Sequence, residues 1–465
     1  MASYDIRELE AWNERILTRA RDFGLDLYTQ EFEICDHEQM LGYMAYSGMP
    51  SHYPHWSHGK NYEKLKTLYD YGVSGLPYEM VINSNPCLAY LMKDNSLLLQ
   101  ILTMAHVYGH NDFFKNNFTF RSTRVEFTIE TFKAHADRVR RYIEDPSIGW
   151  DRVERILDAA HALSLQCRRN LAIRKQSLTE QQERRLEEST PAADPFRSIH
   201  RRPDYVAPDL SRIPLYPDED ILIFIRDRNP YLSDWEKDLL TIVHEEAQYF
   251  IPQLETKIMN EGWASFWHKR ILEALDLPQG MQLEFIVRHN QVLSPAPGGI
   301  NPYYVGMKVW QDIERRWGDL PSRERGKVFE VREVERDTSF LRRYLTEDLL
   351  RELNLFEYQA RGEERVISRV ADKENWREIK ETLIRNVGMG TVPVIKIEDA
   401  DYNNNRVLFL RHYHDGRDLH LEYAEKTLQY VHQLWQREVV LETVINEKRS
   451  LLCFADDRLM IKAPR

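Results

Sequence analysis

Apolar residues first recur at helical spacing between residues 5 and 23, where Ile6, Leu9, Trp12, Ile16 and Leu17 share a face and Phe23-Gly24 offers a stop. The stretch GMPSHYPHWSHGKNY, residues 48–62, is too rich in Pro, Gly and His for either regular period and reads as an ordered loop. From about Asn85 to Asn117 the helical period returns, and it continues over 124–173 with a break at Asp145-Pro146. A polar, then proline-containing run over 176–220 has little apolar material and reads as a connector. ILIFIRD, residues 221–227, has the length of a strand; Asp234 then caps a helix through Tyr249, and a second helix runs from about Thr256 to Leu275. PAPGGINPYY, residues 295–304, is a turn-rich break before the amphipathic VGMKVWQDIERRWG. From about Gly388 the pattern becomes strand, Asn-rich turn, strand, a helix from Leu421 to Trp435, and two more short strands.

These periods predict a mainly α-helical N-terminal and central part with a few short strands, followed by a small C-terminal α+β domain. The expected organisation is 1–175 helical, 176–220 connector, 221–380 central helical and 388–465 C-terminal.

Composition narrows the class. The 465 residues are 42% hydrophobic and 11% aromatic, enough for substantial cores. Lys plus Arg number 63 against 74 acids, a formal charge of -11, which argues against a general nucleic-acid binder. Cys35, Cys87, Cys167 and Cys453 are scattered without a CxxC pair, fitting neither a disulfide framework nor a thiolate zinc knuckle. With no basic, apolar leader and no run of about 20 apolar residues, a cytoplasmic protein with no membrane span is expected.

Three segments place titratable residues on faces that the apolar period marks as buried. In SLLLQILTMAHVYGHNDFFKNN, His106 and His110 lie one turn apart in register with Leu99 and Leu102, and such an i, i+4 pair can chelate one metal ion. In LLTIVHEEAQYF, His244-Glu245 opens like the HExxH motif, whose histidines bind metal and whose Glu draws a proton from the attacking water. Gln248 occupies the second histidine's place, so this helix alone makes no conventional centre. In TKIMNEGWASFWH, Glu261 and His268 share a face two turns apart.

Combined, the segments give a candidate metal site of His106, His110, His244 and Glu261 with Glu245 as general base. Imidazoles plus a carboxylate suit Zn²⁺ ahead of Fe²⁺. Asn111, Gln248, Lys257, Asn260 and His268 are candidate supporting or substrate-binding groups. The competing reading is a buried polar network in which histidines and carboxylates satisfy one another. A di-iron centre is disfavoured because no duplicated ExxH pair is present.

The 48–60 loop adds His52, His55 and His58, with Trp56 as a packing anchor and Lys60 able to meet an anion at a pocket mouth; the bland alternative leaves the histidines solvated. His55 and Lys60 are candidate substrate-binding residues. Glu79 and Asn83 are placed one helical turn apart, with a helix-surface role for Glu79 favoured over that of another inward acid. His412 and His414 share one strand face and read as exposed.

The piece NEGWAS resembles the NEGFAS helix of gluzincin aminopeptidases, whose glutamate is the third metal ligand. That likeness suggests a gluzincin-like helix core. Over a longer span, GMPSHYPHWSHGK, YEMVINSNPCLAYLM, HVYGHNDFFKNN, His244 to Ala264 and NPYYVG resemble the SpoVR family of stage V sporulation proteins. The resemblance implies a role in forming the spore cortex, a modified peptidoglycan layer. It also implies protein partners: a serine-kinase-like AAA+ protein and a von Willebrand-type metal-binding protein. No reaction comes with it. Two functional expectations stand side by side, a metal-dependent hydrolase of an amide or peptide bond and a non-catalytic adaptor in such a complex.

Overall fold

The computed structural model describes residues 4–71, 79–169, 173–190, 207–294, 300–318, 326–355, 357–361, 364–369 and 375–463. Residues 191–206 of the expected connector and 295–299 of the turn-rich break lie outside the described residues. Two compact units emerge, each built from separated stretches of chain. One comprises Met1–Arg141 with Gln248–Thr391, the other Tyr142–Ala247 with Val392–Arg465.

In chain order the elements are α1 (Ile6–Asp22), β1 (Gln30–Cys35), α2 (His37–Ala45), α3 (Trp56–Asp70), β2 (Glu79–Ile82), β3 (Cys87–Met92), α4 (Leu97–Asn116) and α5 (Thr128–Glu144). There follow α6 (Trp150–Leu163), α7 (Leu178–Ser189), α8 (Ile221–Arg228), α9 (Asp234–Glu255), α10 (Lys257–Glu273), α11 (Gln279–Val292) and α12 (Pro302–Trp317). Next come α13 (Lys327–Val334), α14 (Asp337–Tyr344), α15 (Glu347–Glu352), the hairpin β4 (Glu357–Arg361) and β5 (Glu364–Arg369), and α16 (Trp376–Arg385). The chain closes with β6 (Ile395–Tyr402), β7 (Val407–His412), α17 (Leu421–Trp435), β8 (Val439–Ile445), β9 (Lys448–Ala455) and β10 (Arg458–Lys462). The protein is mostly helical, with a strand-rich C-terminal part that carries one helix, as the periodicity predicts.

The core of the first unit is organised by α4, α10 and α12. Every residue of α4 from Leu97 to Phe114 is buried, so its sequence shows little amphipathic contrast. The three helices approach at glycines. A Cβ on Gly109 would sit 2.6 Å from the Ala264 Cα, one on Gly262 would sit 2.3 Å from the Gly306 carbonyl carbon, and one on Gly306 would sit 2.0 Å from the Ile258 carbonyl oxygen. Backbones this close leave no room for a methyl group. Polar clamps lock the packing. The buried Asp112 of α4 takes both of its oxygens to Arg332 Nη1 at 2.7 Å and accepts the Trp263 indole N–H at 2.8 Å. Burial raises the Asp112 carboxyl even against Arg332, so the pair fixes geometry more than it adds net stability.

Asp337 holds the start of α10: its two oxygens accept the Ile258 and Met259 backbone N–H groups at 2.8 and 2.9 Å, satisfying donors a helix N-terminus leaves orphaned. Burial nevertheless pushes this carboxyl up from 3.8 to about 7. The folded state therefore holds the proton more tightly than the unfolded chain. This group's contribution is complete below about pH 4 and is lost as pH rises through about 7. Asp337→Asn is expected to remove that part of the pH slope, which urea unfolding at pH 5 and pH 8 measures directly; an unchanged slope contradicts the assignment.

In the three-stranded sheet, order β1-β3-β2, β3 pairs parallel with β1 and antiparallel with β2, whose Glu79 lies opposite Leu91. Cys87–Met92, expected as helix, is a strand, because CLAYLM is buried at every position and shows neither period. Glu79 and Asn83 are accordingly not on a helix. The 48–62 segment is a loop only up to His55, whose Nδ1 accepts the Ser57 N–H and starts α3. His52 and His55 are buried rather than solvated, and Trp56, expected as an anchor, is half exposed.

In the second unit, ILIFIRD is helix α8 rather than a strand: Asp220 caps it by accepting the Ile223 N–H at 3.2 Å. Helix α7, within the expected connector, buries none of its residues. The five-stranded sheet has order β10-β9-β8-β7-β6. Asn403 and Asn404, at φ 59° and 57°, make the β6–β7 turn, and α17 supplies the crossover that the parallel pair β7–β8 requires. His412 is buried, with Nδ1 2.9 Å from the Thr443 hydroxyl, because β7 is an interior strand of this sheet. Among the described residues no helix is long and apolar enough to cross a membrane.

Candidate metal centre

Four side chains converge inside the first unit. His106 and His110 project from the same face of α4, Glu261 comes from α10, and Glu79 opens β2. Glu79, His106 and His110 each offer a ligand atom within 4.8 Å of the others, so this group can hold a metal ion. Glu261 Oε2 lies 3.5 Å from His110 Nε2 and 3.7 Å from His106 Nε2, and Glu79 Oε1 lies 4.0 Å from His106 Nε2. These separations are too long for hydrogen bonds. They are close to the spacing of about 3.4 Å between donors that sit about 2.1 Å from a tetrahedral ion.

Two orphaned atoms test the fit. Among the described residues, His106 Nε2 and Glu261 Oε2 are buried without any hydrogen-bond partner, although they face each other. Buried polar atoms are rarely left so, and a cation between them would satisfy both. The donor types agree, since two imidazoles with carboxylates form a common set for Zn²⁺ or Fe²⁺.

The opposite ends of both rings are fixed. His110 Nδ1 lies 2.8 Å from Asn260 Oδ1; that oxygen can only accept, so Nδ1 carries a proton and Nε2 is the atom turned toward Glu261. His106 Nδ1 lies 2.9 Å from His268 Nδ1, and His268 Nε2 lies 2.8 Å from Nδ1 of His289 on α11. Tyr303, in the first turn of α12, stacks on His106 with ring centroids 5.9 Å apart. Its backbone is set by Asn301, whose Oδ1 accepts the Tyr303 and Tyr304 N–H groups.

Electrostatics separates the two carboxylates. Burial opposes ionisation of Glu261, but His106 and His110 together hold its carboxyl well below the usual range. Glu79 goes the other way: burial raises it, the two imidazoles only partly offset this, and Glu261 adds repulsion. Burial lowers His110, yet Glu261 and Asn260 outweigh it and the ring is raised overall. Burial depresses His268 strongly and brings His289 down to about 4, so both are neutral at pH 7. The Glu261 charge, with burial, lifts the Tyr303 phenol far above its ordinary value.

The model for the family described as SpoVR like protein matches residues 3–392, and the model for the SpoVR-like C-terminal domain matches residues 393–446. The chain belongs to the SpoVR family. This SpoVR-family chain is 34% identical over 463 residues to "Uncharacterized protein YcgB" of Escherichia coli (strain K12), covering 91% of this chain and 89% of that one. No solved structure matches it.

Of the residues singled out in the SpoVR sequence, the fold brings His106, His110, Glu261, Asn260 and His268 together. The cluster forms without His244 and Glu245. These belong to the second unit, where His244 Nε2 pairs with Asp220 at 2.9 Å and Glu245 is exposed. Gln248 is half-buried and Lys257 exposed. Asn111 ties down the approach to β1: its Oδ1 accepts the Tyr28 N–H while its Nδ2 donates to the Tyr28 carbonyl and to Gln30. His55 caps α3, and Lys60 lies over the Trp56 ring. Glu79, His289 and Tyr303 are the members that spacing missed. For Glu79 a helix-surface role is favoured by the sequence over an inward one, but it opens strand β2 and joins the cluster. The NPYYVG motif carries Tyr303, with Asn301 as its cap and Gly306 as the close-approach residue.

Proposed function

We propose that this SpoVR-family protein is a metal-dependent hydrolase of amide bonds, holding Zn²⁺ through His106, His110 and Glu261. The observation that carries this reading is the buried pair of unsatisfied ligand atoms, His106 Nε2 and Glu261 Oε2, beside the metal-capable group of Glu79, His106 and His110. A bound Zn²⁺ supplies Lewis-acid polarisation of a carbonyl and a nucleophile usable at neutral pH. Val107 stands where an HExxH helix carries its glutamate, so the proton acceptor comes from another element. Glu79, on the facing strand, takes that role: it accepts a proton from the attacking water and returns it to the leaving amine. Tyr303 walls the site against His106. The sporulation origin of the family name favours peptide or peptidoglycan-precursor amides as substrates, in a cytoplasmic setting that links the protein to spore-cortex formation.

Zn²⁺-loaded full-length protein should release amine from a panel of peptide amides and peptidoglycan-precursor peptides. Glu79→Gln should retain zinc and lose at least about 100-fold in turnover. Loaded wild-type protein that cleaves nothing in the panel contradicts the hydrolase reading. Full activity in Glu79→Gln removes Glu79 as the proton carrier.

A further inference from the structure

Behind His106, on the side away from the carboxylates, stand two further histidines. His106 of α4, His268 of α10 and His289 of α11 form one hydrogen-bonded line of imidazoles through contacts of 2.9 and 2.8 Å, and all three are buried. A neutral imidazole carries one N–H donor and one lone-pair acceptor. Three in a row therefore admit only two complete proton arrangements. In the first, His106 Nδ1–H donates to His268 Nδ1, His268 Nε2–H donates to His289 Nδ1, and the His106 Nε2 lone pair faces Glu261 and Glu79. In the second, every proton is reversed: His289 Nδ1–H donates to His268 Nε2, His268 Nδ1–H donates to His106 Nδ1, and His106 Nε2 carries a proton pointed at the carboxylates.

We propose that His268 and His289 are positioning residues that form a proton-register chain, fixing His106 as the Nδ1–H tautomer so that its Nε2 is a metal donor. The inference rests on the metal reading above and adds two residues to it, one from a helix that holds no ligand. An imidazolium anywhere in the line would leave His106 Nε2 protonated: a charged His268 donates from both nitrogens and a charged His289 donates from Nδ1, and either makes His106 accept at Nδ1. A histidine at 268 is not strictly required. Any side chain with an acceptor toward His106 and a donor toward His289 preserves the register, and a glutamine amide has both.

The test uses the full chain, with zinc affinity and imidazole nitrogen resonances as readouts. His268→Leu is expected to weaken zinc binding about 10- to 100-fold, the usual cost of removing a group that orients a ligating histidine. His268→Gln should recover most of that loss, which a purely volumetric role for the ring would not predict. In ¹⁵N-histidine-labelled, zinc-loaded wild type, His268 should be protonated on Nε2 and His106 on Nδ1. A His268 protonated on Nδ1, or His268→Leu protein that is folded and binds zinc as tightly as wild type, overturns the chain. Wild-type protein that binds no zinc at all removes the metal reading instead.

Discussion

Gly306→Ala is expected to destabilise the first unit by about 3 kcal/mol or more, at or beyond the upper end of ordinary overpacking costs. The added Cβ would sit 2.0 Å from the Ile258 carbonyl oxygen and 2.8 Å from the Gly262 Cα, both rigid helix backbone, so no side chain can rotate away to make room. Separation of α10 from α12 is the only relief, and it moves Glu261 relative to Tyr303. The same change at Gly59, in the exposed part of α3 with nothing within 4 Å of the new methyl group, should be neutral or stabilising by about 0.5–1 kcal/mol. Trp263, Trp267 and Trp310 lie in this core and report its unfolding through fluorescence. Equal denaturation midpoints for the two alanine variants would show that the α10–α12 crossing is not as close as described.

The second large effect concerns ligand-linked stability. A ligand that binds only the folded state adds about 2.7 kcal/mol at a free concentration 100 times its Kd. Wild-type protein titrated with Zn²⁺ should therefore show a rising unfolding midpoint. The double variant His106→Ala/His110→Ala should show none, because it removes both imidazole donors. His244→Ala should respond as wild type does, since His244 pairs with Asp220 in the second unit. A zinc-dependent shift that persists in the double variant would place the ion elsewhere.

How much of this is legible in the sequence depends on whether a local rule decides it. Spacing of four puts His106 and His110 on one helix face whatever surrounds α4. Glu261 stands out because a charged residue interrupts a buried helical stripe next to Gly262. The C-terminal part is readable because an Asn-rich turn and a regular amphipathic helix are local signals. By contrast, CLAYLM and ILIFIRD are short apolar runs whose type is set by tertiary partners, β1 and β2 for the first and a cap at Asp220 for the second. Missing that β2 is a strand misplaces Glu79. His244-Glu245 has the letters of a metal motif, but the partner that His244 meets lies 24 positions upstream, beyond the reach of any helical rule. Tyr303 enters through the α10–α12 packing that depends on glycines at 262 and 306, and His289 through α11, which packs beside α4; no spacing pattern connects either to α4.

The central claim is that the α4–α10 cluster is built around a metal ion. Elemental analysis of the full-length chain, purified without added metal and without chelator, tests it most directly. The account predicts about one equivalent of zinc or iron per chain in the wild type, with loss of nearly all of it in a folded His106→Ala/His110→Ala variant. Wild-type protein that is natively folded yet free of any transition metal, and that takes up none on dialysis against Zn²⁺ or Fe²⁺, would contradict it.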